Sequence, residues 1–420
     1  MWPCPELDEV VHIRTGTINP LKYPEMEFEL FSIPGFDIGS PEIKVGSEIL
    51  SNKNVVKPDD VLFSKLNPRI PRIWIVPKSK HRRQISSTEF WPLVCDQRLL
   101  SNHYLRYFLL KLAKEGVFSD SIEAATRSRS RIKPFHLLHQ HIPLPPLSEQ
   151  RRIVEILDQA DALRKKRAEA DAKAARILPA LFYKMFGDPA TNPKGWPVKR
   201  LGDPRVATVN PKFSVSNIPA EMEVSFVPMA DVDEVWGRIV GTQMRPYSDV
   251  MRGFTPFQDN DVLFAKITPC MQNGKAAIAR NLINGRGFGS TEFHILRAGP
   301  EATPEWLYAL VRMVWFRKQA EASFTGTAGQ QRVPADFLIR YEVACPPLDL
   351  QHAFAKAVSR IAEWIEQTEQ VRRKTKDIFS LLLHRAFTGD LTTQWREAHM
   401  KELLQEMEQQ ATALNLRMES

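Results

Sequence analysis

Apolar residues recur at steps of three and four in two long segments of the chain, and this spacing predicts two long helices. The first runs from Ser148, the expected N-cap, to about Phe186, and Gly187 is placed to end it. The second begins near Asp349, and Gly389 follows it. About 39 residues span roughly 58 Å, more than the width of a small domain, so we expect the two helices to pair as an antiparallel coiled coil. The side chains expected at this pairing are Ile153, Ile156, Leu163, Ile177, Leu181, Ile361, Ile365, Ile378 and Leu382.

The remaining sequence has a different pattern, with short β-branched and aromatic runs bounded by Pro and Gly. Examples are 72–76 and 223–227, and such runs are typical of strands and turns. Two shorter helices are predicted among them, over Ser101–Lys114 and over Pro304–Glu321, the latter capped by Thr303. The pattern predicts an α+β fold in which these parts are mostly β.

The chain repeats itself at a period of about 201 residues. Asp60-Val61-Leu62-Phe63 returns as Asp261-Val262-Leu263-Phe264, and Ser87-Thr88-Glu89-Phe90 returns unchanged as 290–293. Pro145-Pro146-Leu147 returns as 346–348, with Gln150 against Gln351. A period of this length is too long for a solenoid repeat and indicates two copies of one module.

The repeat and the helices together predict five segments. They are a first module over 1–146, a first long helix over 147–187, a second module over 188–347, a second long helix over 348–388, and a partly helical extension over 389–420. The extension has an apolar stripe of its own. It is expected either to pack on the first module or to contact a partner.

Composition narrows the classes of protein. The 420 residues carry a formal net charge of +8, a mild bias towards polyanionic partners. Four separated cysteines form no CxxC pair, which argues against a zinc site or a disulfide framework. The N-terminal segment lacks the pattern of a signal peptide, and no apolar run is long enough to span a membrane. We therefore expect a cytoplasmic protein without a membrane partner.

Motifs for catalysis are missing from the sequence. It has no GxxxxGK[ST] phosphate loop, no GxGxxG, no HExxH and no [ND]PP[YFW] tetrapeptide. A metal site at His136, His139 and His141 and a metal-dependent nuclease built on Asp37 and Lys44 remain as alternatives, but both patterns are common by chance. We expect a non-enzyme without a metal or cofactor of its own. A non-catalytic alternative is a two-module scaffold that binds proteins rather than DNA.

Two matched stretches carry the binding chemistry. The ranges 61–88 and 262–291 contain no acidic residue, and they hold seven and four basic residues. At equivalent places follow 126–131 and 327–332, rich in Arg, Gln, Ser and Thr, which contact base edges and phosphates in DNA complexes. The predicted DNA-binding residues are Lys65, Asn67, Arg69, Arg72, Arg127, Arg129, Arg131, Lys266, Thr268, Gln272, Asn273, Lys275, Thr327, Gln330, Gln331 and Arg332.

These motifs resemble those of the specificity subunits of type I restriction–modification systems. The resemblance is carried by the run 145–154 that opens the first helix, PPLSEQRRIV, and by Phe186-Gly187-Asp188-Pro189 that closes it. It extends to Gly195-Trp196-Pro197, to 329–334, and to Gly389-Asp390-Leu391-Thr392. It covers nearly the whole chain.

The resemblance implies a function without chemistry on this chain. Each module would be a target recognition domain that reads one half of a bipartite site in double-stranded DNA, and the helix pair would set the spacer. It implies two modification subunits that dock on this chain, and restriction subunits that join them. S-adenosylmethionine, ATP and Mg are then expected on those partner subunits.

Overall fold

The structure is a computed structural model, which describes residues 2–79, 81–118, 131–212, 218–327 and 330–418. The chain divides into two compact units. Unit 1 combines Met1–Lys166 with Arg373–Ser420, and unit 2 is Arg167–Arg372. Each unit therefore contains one β-rich module and one segment of each long helix.

Unit 1 has a four-stranded antiparallel sheet in the order β1-β9-β6-β7 and a five-stranded sheet in the order β2-β5-β8-β3-β4, in which β3 and β8 are parallel. Its strands are β1 (Val11–Ile13), β2 (Thr17–Ile18), β3 (Glu27–Phe31), β4 (Glu42–Val45), β5 (Lys53–Val55), β6 (Val61–Ser64), β7 (Ile73–Ile75), β8 (Arg83–Ser86) and β9 (Phe90–Cys95). Its first helices are α1 (Leu7–Val10), α2 (Ile33–Ile38), α3 (Asn102–Lys114) and α4 (Pro134–Leu138), and α5 (Leu147–Ala174) continues into unit 2.

Unit 2 repeats this topology. Its sheets run β11-β18-β15-β16 and β13-β12-β17-β14, with β12 parallel to β17, and a two-stranded sheet pairs β10 with β19. Its strands are β10 (Val198–Arg200), β11 (Ala207–Val209), β12 (Glu223–Val227), β13 (Gln243–Pro246), β14 (Thr255–Gln258), β15 (Val262–Ala265), β16 (Ala276–Ile278), β17 (Arg286–Gly289), β18 (Phe293–Ala298) and β19 (Glu342–Ala344). Its helices are α6 (Ile177–Phe186), α7 (Tyr247–Val250), α8 (Pro304–Arg312), α9 (Val314–Ala322) and α10 (Ala335–Arg340), and α11 (Leu348–Thr388) continues into unit 1.

The repeated Val-Leu-Phe motif is the central strand of the equivalent sheets. Val61 pairs with Ile75 in unit 1, and Val262 pairs with Ile278 in unit 2. Both strands are fully buried, because helices cover one face and the second sheet covers the other. The predicted α+β fold with two related modules and two long helices is confirmed.

The long helices pair in antiparallel fashion inside unit 2. Ala174 shares a buried cluster with Ile365, and further along the first helix Phe182 and Phe186 pack edge-on against Phe354 at ring-centroid distances of 6.0 and 5.0 Å. Residues later in the first helix contact residues earlier in the second, which is the register of an antiparallel pair. In unit 1, Ile153 and Leu157 belong to the same core as Phe379 and Leu383.

Three of the predicted pairing residues are corrected by the structure. Leu163 is 60% exposed, Ile177 44% and Ile378 54%, so none of them packs in a helix contact. After the first turn of α5, the buried positions within unit 1 are Ile153, Leu157 and Asp161. A pattern of apolar residues cannot identify the third, because its side chain is a carboxylate. Burial alone would raise the pKa of Asp161, but hydrogen bonds from Arg164 and Lys165 outweigh it and hold that pKa below its ordinary value.

The other six predicted pairing residues are at least partly covered. Ile153 and Ile365 are buried, and Ile156, Leu181, Ile361 and Leu382 are intermediate. Residues outside the predicted pairing set complete the contacts. These are Leu157, Phe182, Phe379 and Leu383.

Two predicted helices are interrupted. The first long helix stops at Ala174 and resumes at Ile177, because Pro179 lacks the N–H that would bind the carbonyl of Ala175 and its ring crowds that carbonyl. The helix predicted from Pro304 breaks at Met313, which is extended and buries its side chain in the core of unit 2. Thr303 caps this helix as predicted, whereas Ser148 lies inside α5 rather than at its N-cap.

A buried glutamine joins each long helix to its module. The side-chain oxygen of Gln150 accepts the Ser101 N–H at 2.8 Å, and its amide nitrogen donates to the carbonyls of Leu99 and Pro145. Gln351 makes the equivalent three bonds, to the Thr303 N–H and to the carbonyls of Glu301 and Pro346. Each glutamine therefore fixes the start of a long helix against the start of a shorter one.

The C-terminal extension packs on the first module, which answers the choice that the sequence left open. It contains α12 (Thr393–Ala398) and α13 (Met400–Met418). Glu149, fully buried, accepts hydrogen bonds from the side chains of Trp2, Thr392 and Arg396 at 2.6 to 3.0 Å. Among the residues that the structure describes, no helix is both long and apolar enough to cross a bilayer.

The glutamine contacts predict a unit-specific loss of stability. Gln150→Ala should lower the free energy of unfolding of unit 1 by about 2–4 kcal/mol, because three buried backbone groups lose their partner. Gln351→Ala should do the same to unit 2. Urea denaturation followed by circular dichroism measures both, and Gln159→Ala on the exposed face of α5 is the control. A midpoint unchanged by Gln150→Ala would contradict the role of this side chain.

Candidate nucleic-acid interface

Three segments that the sequence placed apart meet where the Val-Leu-Phe strand of unit 1 ends. The Lys65 N–H donates to the Glu89 carbonyl at 2.9 Å, and the Ile132 N–H donates to the Lys65 carbonyl at 3.1 Å. A backbone bridge also joins Leu66 to Arg131. The loop after β6, the Ser-Thr-Glu-Phe turn and the end of the 126–131 segment are therefore held together.

Unit 2 repeats these contacts. The Lys266 N–H donates to the Glu292 carbonyl, and the Val333 N–H donates to the Lys266 carbonyl, both at 2.9 Å. Ile267 bridges Arg332. We call each meeting point a loop junction, formed by Lys65, Glu89 and Arg131 in unit 1 and by Lys266, Glu292 and Arg332 in unit 2.

An arginine–glutamate ion pair closes each loop junction. Arg131 donates to both carboxylate oxygens of Glu89 at 3.1 and 2.8 Å, and Arg332 holds Glu292 through its Nε and Nη2 atoms at 2.8 to 3.1 Å. These hydrogen bonds lower the pKa values of Glu89 and Glu292 and raise those of both arginines. Since Arg332 also donates to the Gln330 carbonyl, its guanidinium is largely engaged within the protein.

The lysines of the loop junctions have no such partner. Within the described parts of the chain, neither the Lys65 nor the Lys266 ammonium has a carboxylate at ion-pair distance, although each lies close enough to the neighbouring glutamate to contribute to its lowered pKa. Arg69 is exposed beside Lys65, and Asn67 takes a left-handed backbone conformation with φ of 49° that turns the loop. These cations are available to an anionic partner.

Several other predicted DNA-binding side chains contact neighbouring protein groups. Arg72 pairs with Asp37 at 2.9 Å, Gln272 bonds Glu321 and the hydroxyl of Thr268, Asn273 bonds Glu234 at 3.1 Å, and the Lys275 ammonium donates to the Met229 carbonyl at 3.2 Å. They hold the loops after β6 and β15 in shape. A DNA contact by any of them would require these bonds to be exchanged.

The second predicted loop is described in part. Thr327 and Gln330 are exposed in unit 2, and Gln331 accepts the Thr268 N–H through its carbonyl at 3.0 Å. In unit 1, Arg127 and Arg129 lie outside the described residues, so no contact is assigned to them.

The sequence pointed to Glu89 and Glu292 without revealing their role. The unchanged Ser-Thr-Glu-Phe repeat was the signal, since a carboxylate retained in two otherwise basic surfaces calls for a fixed partner. The partner is an arginine about 40 residues further along in each copy. Pairing across that distance leaves no periodic trace, and so the sequence alone did not identify it.

Asp60 and Asp261, which precede the repeated Val-Leu-Phe strands, each hold a turn and bind an arginine. Each accepts the backbone N–H three residues earlier, of Lys57 or Gln258, which is the turn contact. Each is also buried and gripped by the two-pronged guanidinium of an arginine, Arg14 in unit 1 and Arg297 in unit 2, at 2.7 to 2.8 Å. These carboxylates are structural.

The residues proposed for a nuclease and for a metal site make other contacts in the structure. Asp37 is paired with Arg72, and Lys44 is paired with Glu42 at 2.6 Å, so both candidate nuclease residues have local partners. His139 lies with Glu6 and Asp8 in a group whose ligand atoms are within 4.8 Å of one another. Two of these three side chains are exposed, and exposed acidic groups are common without a metal ion.

Comparison with known proteins shows which proteins this chain resembles. Residues 2–171 match the model described as the type I restriction modification DNA specificity domain. The EcoEI and EcoAI type I restriction enzyme specificity subunits of Escherichia coli are 32% and 34% identical over 199 and 201 residues, or 47% and 48% of this chain. The chain spans 33% of the length of each of these two relatives.

More distant likenesses cover more of the chain. The StySPI specificity subunit of Salmonella potsdam is 22% identical over 379 residues, 84% of this chain and 79% of that one. A chain from a solved type I R-M system covers 93% of this chain and 98% of its own length, with a TM-score of 0.51 and 20% identity, and so shares the fold. The chain is therefore similar to type I restriction enzyme specificity subunits, the family that its motifs resemble.

The ion pair of the unit 2 loop junction predicts a pH-dependent stability. Because the folded pKa of Glu292 lies below its ordinary value of 4.5, the pair stabilises the fold above that value and loses its effect as pH falls through the lowered pKa. Glu292→Gln should therefore lower the melting temperature at neutral pH and leave it almost unchanged in strong acid. Thermal unfolding of both proteins across pH tests this, with the exposed Glu363→Gln as control. A difference that persisted in strong acid would contradict it.

Proposed function

We propose that this chain is the DNA sequence-recognition subunit of a type I restriction–modification complex, in which each module reads one half of a bipartite site. The observation that carries the proposal is the loop junction, present twice with one backbone frame. A duplicated frame with cationic loops suits two similar DNA contacts. Uncompensated lysines such as Lys65 and Lys266 suit phosphates.

The side chains around the two frames differ, which supports different half-sites. Unit 1 offers Arg69, whereas the equivalent loop of unit 2 has Cys270 after Pro269, and unit 2 exposes Thr327 and Gln330. Arginine favours guanine and glutamine favours adenine in the major groove. The engaged arginines of the junctions, Arg131 and Arg332, would then act by holding the loops or by exchanging glutamate for a base edge.

The long helices supply the second part of the proposal, a fixed spacer and a platform for other subunits. The 41 residues of α11 correspond to about 61 Å of helix, or about 18 base pairs at 3.4 Å each. That length suits two short half-sites and an unread gap of up to one turn. We propose that two modification subunits dock on this chain and that restriction subunits join them.

On this proposal the chain catalyses no reaction. S-adenosylmethionine, ATP and Mg would be bound by the modification and restriction subunits, and the complex would act on DNA in the cytoplasm. The DNA methylation pattern of the host, sequenced with and without this gene, tests the assignment. Loss of methylation at one bipartite motif is the expected result, and an unchanged pattern in an active host system would contradict it.

Half-site independence gives a sharper prediction. Once the motif is known, Arg332→Gln should relax recognition in one half-site only, by about 1–3 kcal/mol per affected base pair, whether it removes a base contact or loosens the loop. Lys266→Ala should instead weaken binding to all sequences alike and reduce the salt dependence, because it removes a phosphate contact. Binding of the assembled complex to duplexes with single-position changes measures both.

Arg131→Gln is the matched control, because it alters the same junction of the other module. It should affect the other half-site alone. Uniform loss of affinity from all three substitutions would indicate a nonspecific clamp.

The spacer has its own test. Adding one turn, about four residues, to each helix after Ala170 and after Gln370 should lengthen the accepted gap by about two base pairs, since four residues rise about 6 Å. Both half-sites should stay the same. Methylome sequencing of cells that carry the variant reads the gap directly, and an unmoved gap in a variant that still methylates would contradict the spacer role.

A further inference from the structure

Each unit has a cleft at an equivalent place, between the central sheet, the module's helix and a long helix. The equivalence follows from shared contacts, since Ser101 and Thr303 begin their helices with the same bond to Gln150 and Gln351. Counting from these pairs, Arg106 corresponds to Tyr308, Asp161 to Ala362 and Arg164 to Ile365. All lining residues of each cleft lie within one unit.

The cleft of unit 2 is filled by the chain itself. After β12 the backbone runs through Asp231 to Arg238 and inserts Trp236, which is 8% exposed and packs on Ala174 and Ile365. Its carbonyl accepts the Tyr308 hydroxyl at 3.1 Å.

Further contacts fasten this segment. The guanidinium of Arg312 donates to the carbonyls of Glu234 and Val235, and Arg238 pairs with Glu369 at 2.9 Å. A cavity of only 160 Å³ remains beside it.

In unit 1, none of the described residues fills the cleft in this way. The segment after β3 forms the short helix α2 and turns away at Gly39, so that Phe36 packs edge-on against Trp74 at 5.6 Å rather than on the long helix. The open cleft measures 740 Å³. Trp74 and Ile75 line its sheet side, and Ala162 lies on its helix side.

The two clefts differ at their matched positions. Unit 2 presents Tyr308, Ala362 and Ile365 where unit 1 presents two arginines and a buried aspartate. Arg238, Arg280 and Arg312 also line the unit 2 cleft, but Glu369, Glu305 and backbone carbonyls already bind their guanidinium groups. The basic side chains in the unit 1 cleft are Arg106, Lys114, Arg164 and Lys165, and the acidic ones are Asp158 and Asp161. The cleft therefore holds two more positive than negative charges, with an aromatic side chain at one wall.

The state of Lys114 agrees with a shortage of negative charge. Its pKa is lowered by burial first and then by the nearby cations Arg164 and Lys376, which outweigh the effect of Asp161. Its ammonium lies over the ring of Phe379 at 5.0 Å. An incoming carboxylate would relieve this repulsion.

We propose that the unit 1 cleft is a docking site for a segment of a partner protein that presents one aromatic side chain flanked by carboxylates. This is the chemistry of the chain's own insert in unit 2, where Asp231, Asp233 and Glu234 precede Trp236. The aromatic ring fills the volume against Trp74, and the carboxylates meet the excess of basic side chains. The inference rests on the proposed function only in taking the partner to be another subunit of the same complex.

The test uses the full-length protein and a fluorescent peptide with the sequence of residues 231–239, DVDEVWGRI. The peptide should bind, as measured by fluorescence anisotropy, and should bind more weakly at high salt. Ala162→Trp fills the cleft without changing its charge and should weaken binding at least about tenfold, or 1.4 kcal/mol. Ala168→Trp, exposed on the same helix outside the cleft, should bind the peptide like the parent protein.

Two further variants separate docking from misfolding. Lys165→Glu reverses an exposed charge at the cleft and should weaken binding of the peptide. A second peptide with alanine in place of tryptophan should bind poorly to the parent protein and to every variant. Unfolding midpoints in urea establish that the variants are folded. Absence of peptide binding, or equal binding by Ala162→Trp and Ala168→Trp, would overturn the proposal.

DNA binding distinguishes this outcome from failure of the proposed function. Ala162→Trp should keep the DNA affinity of the parent chain, so a lost peptide site with retained sequence-specific DNA binding leaves the recognition role in place. Displacement of the peptide by a DNA duplex would assign the cleft to DNA and overturn the partner-docking proposal.

Discussion

The three hydrogen bonds of one buried glutamine set the geometry of each unit. Gln150 and Gln351 are fully buried and join the first turn of a long helix to the first turn of the helix that covers the module's sheet. A buried amide with every group satisfied tolerates little displacement, because each lost bond leaves a desolvated backbone group behind. The direction in which a long helix leaves its module is therefore fixed by polar contacts of defined geometry rather than by apolar packing alone. The loop junctions lie at the end of the same sheet, so their position relative to the start of the long helix is fixed as well.

The sequence predicted the features that repeat. Two modules, two long helices and a common place for the binding loops followed from motifs that occur twice, and the fold confirms the architecture. Where a charged residue is buried on a helix, the apolar pattern of the sequence did not predict the buried face correctly. Asp161 is such a case, since its burial depends on Arg164 and Lys165 one turn away, and Leu163 was selected in its place.

The structure brings together the segments that the sequence singled out, but the sequence did not show which of their side chains already have partners. Lys65 and Lys266 keep free ammonium groups among the described residues, while Arg131 and Arg332 are held by glutamates that lie far away in the sequence. An arginine in a basic stretch looks available until its partner is known. Such pairings depend on tertiary structure, because only the folded sheet brings the Ser-Thr-Glu-Phe turn beside Arg131 in unit 1 and Arg332 in unit 2.

The two buried carboxylates of the central sheets have a consequence for how such chains can be recombined. Asp60 and Asp261 occupy equivalent positions, but their arginines come from different strands. Arg14 follows β1, and the equivalent residue in unit 2 is Asn210. Arg297 lies on β18, and the equivalent residue in unit 1 is Val94. A hybrid sheet that took its edge strand from one copy and its inner strand from the other would hold either two cations or none. An orphaned buried charge costs about 3–5 kcal/mol. Exchange of a whole module would keep each ion pair intact, whereas exchange of a single strand would break it.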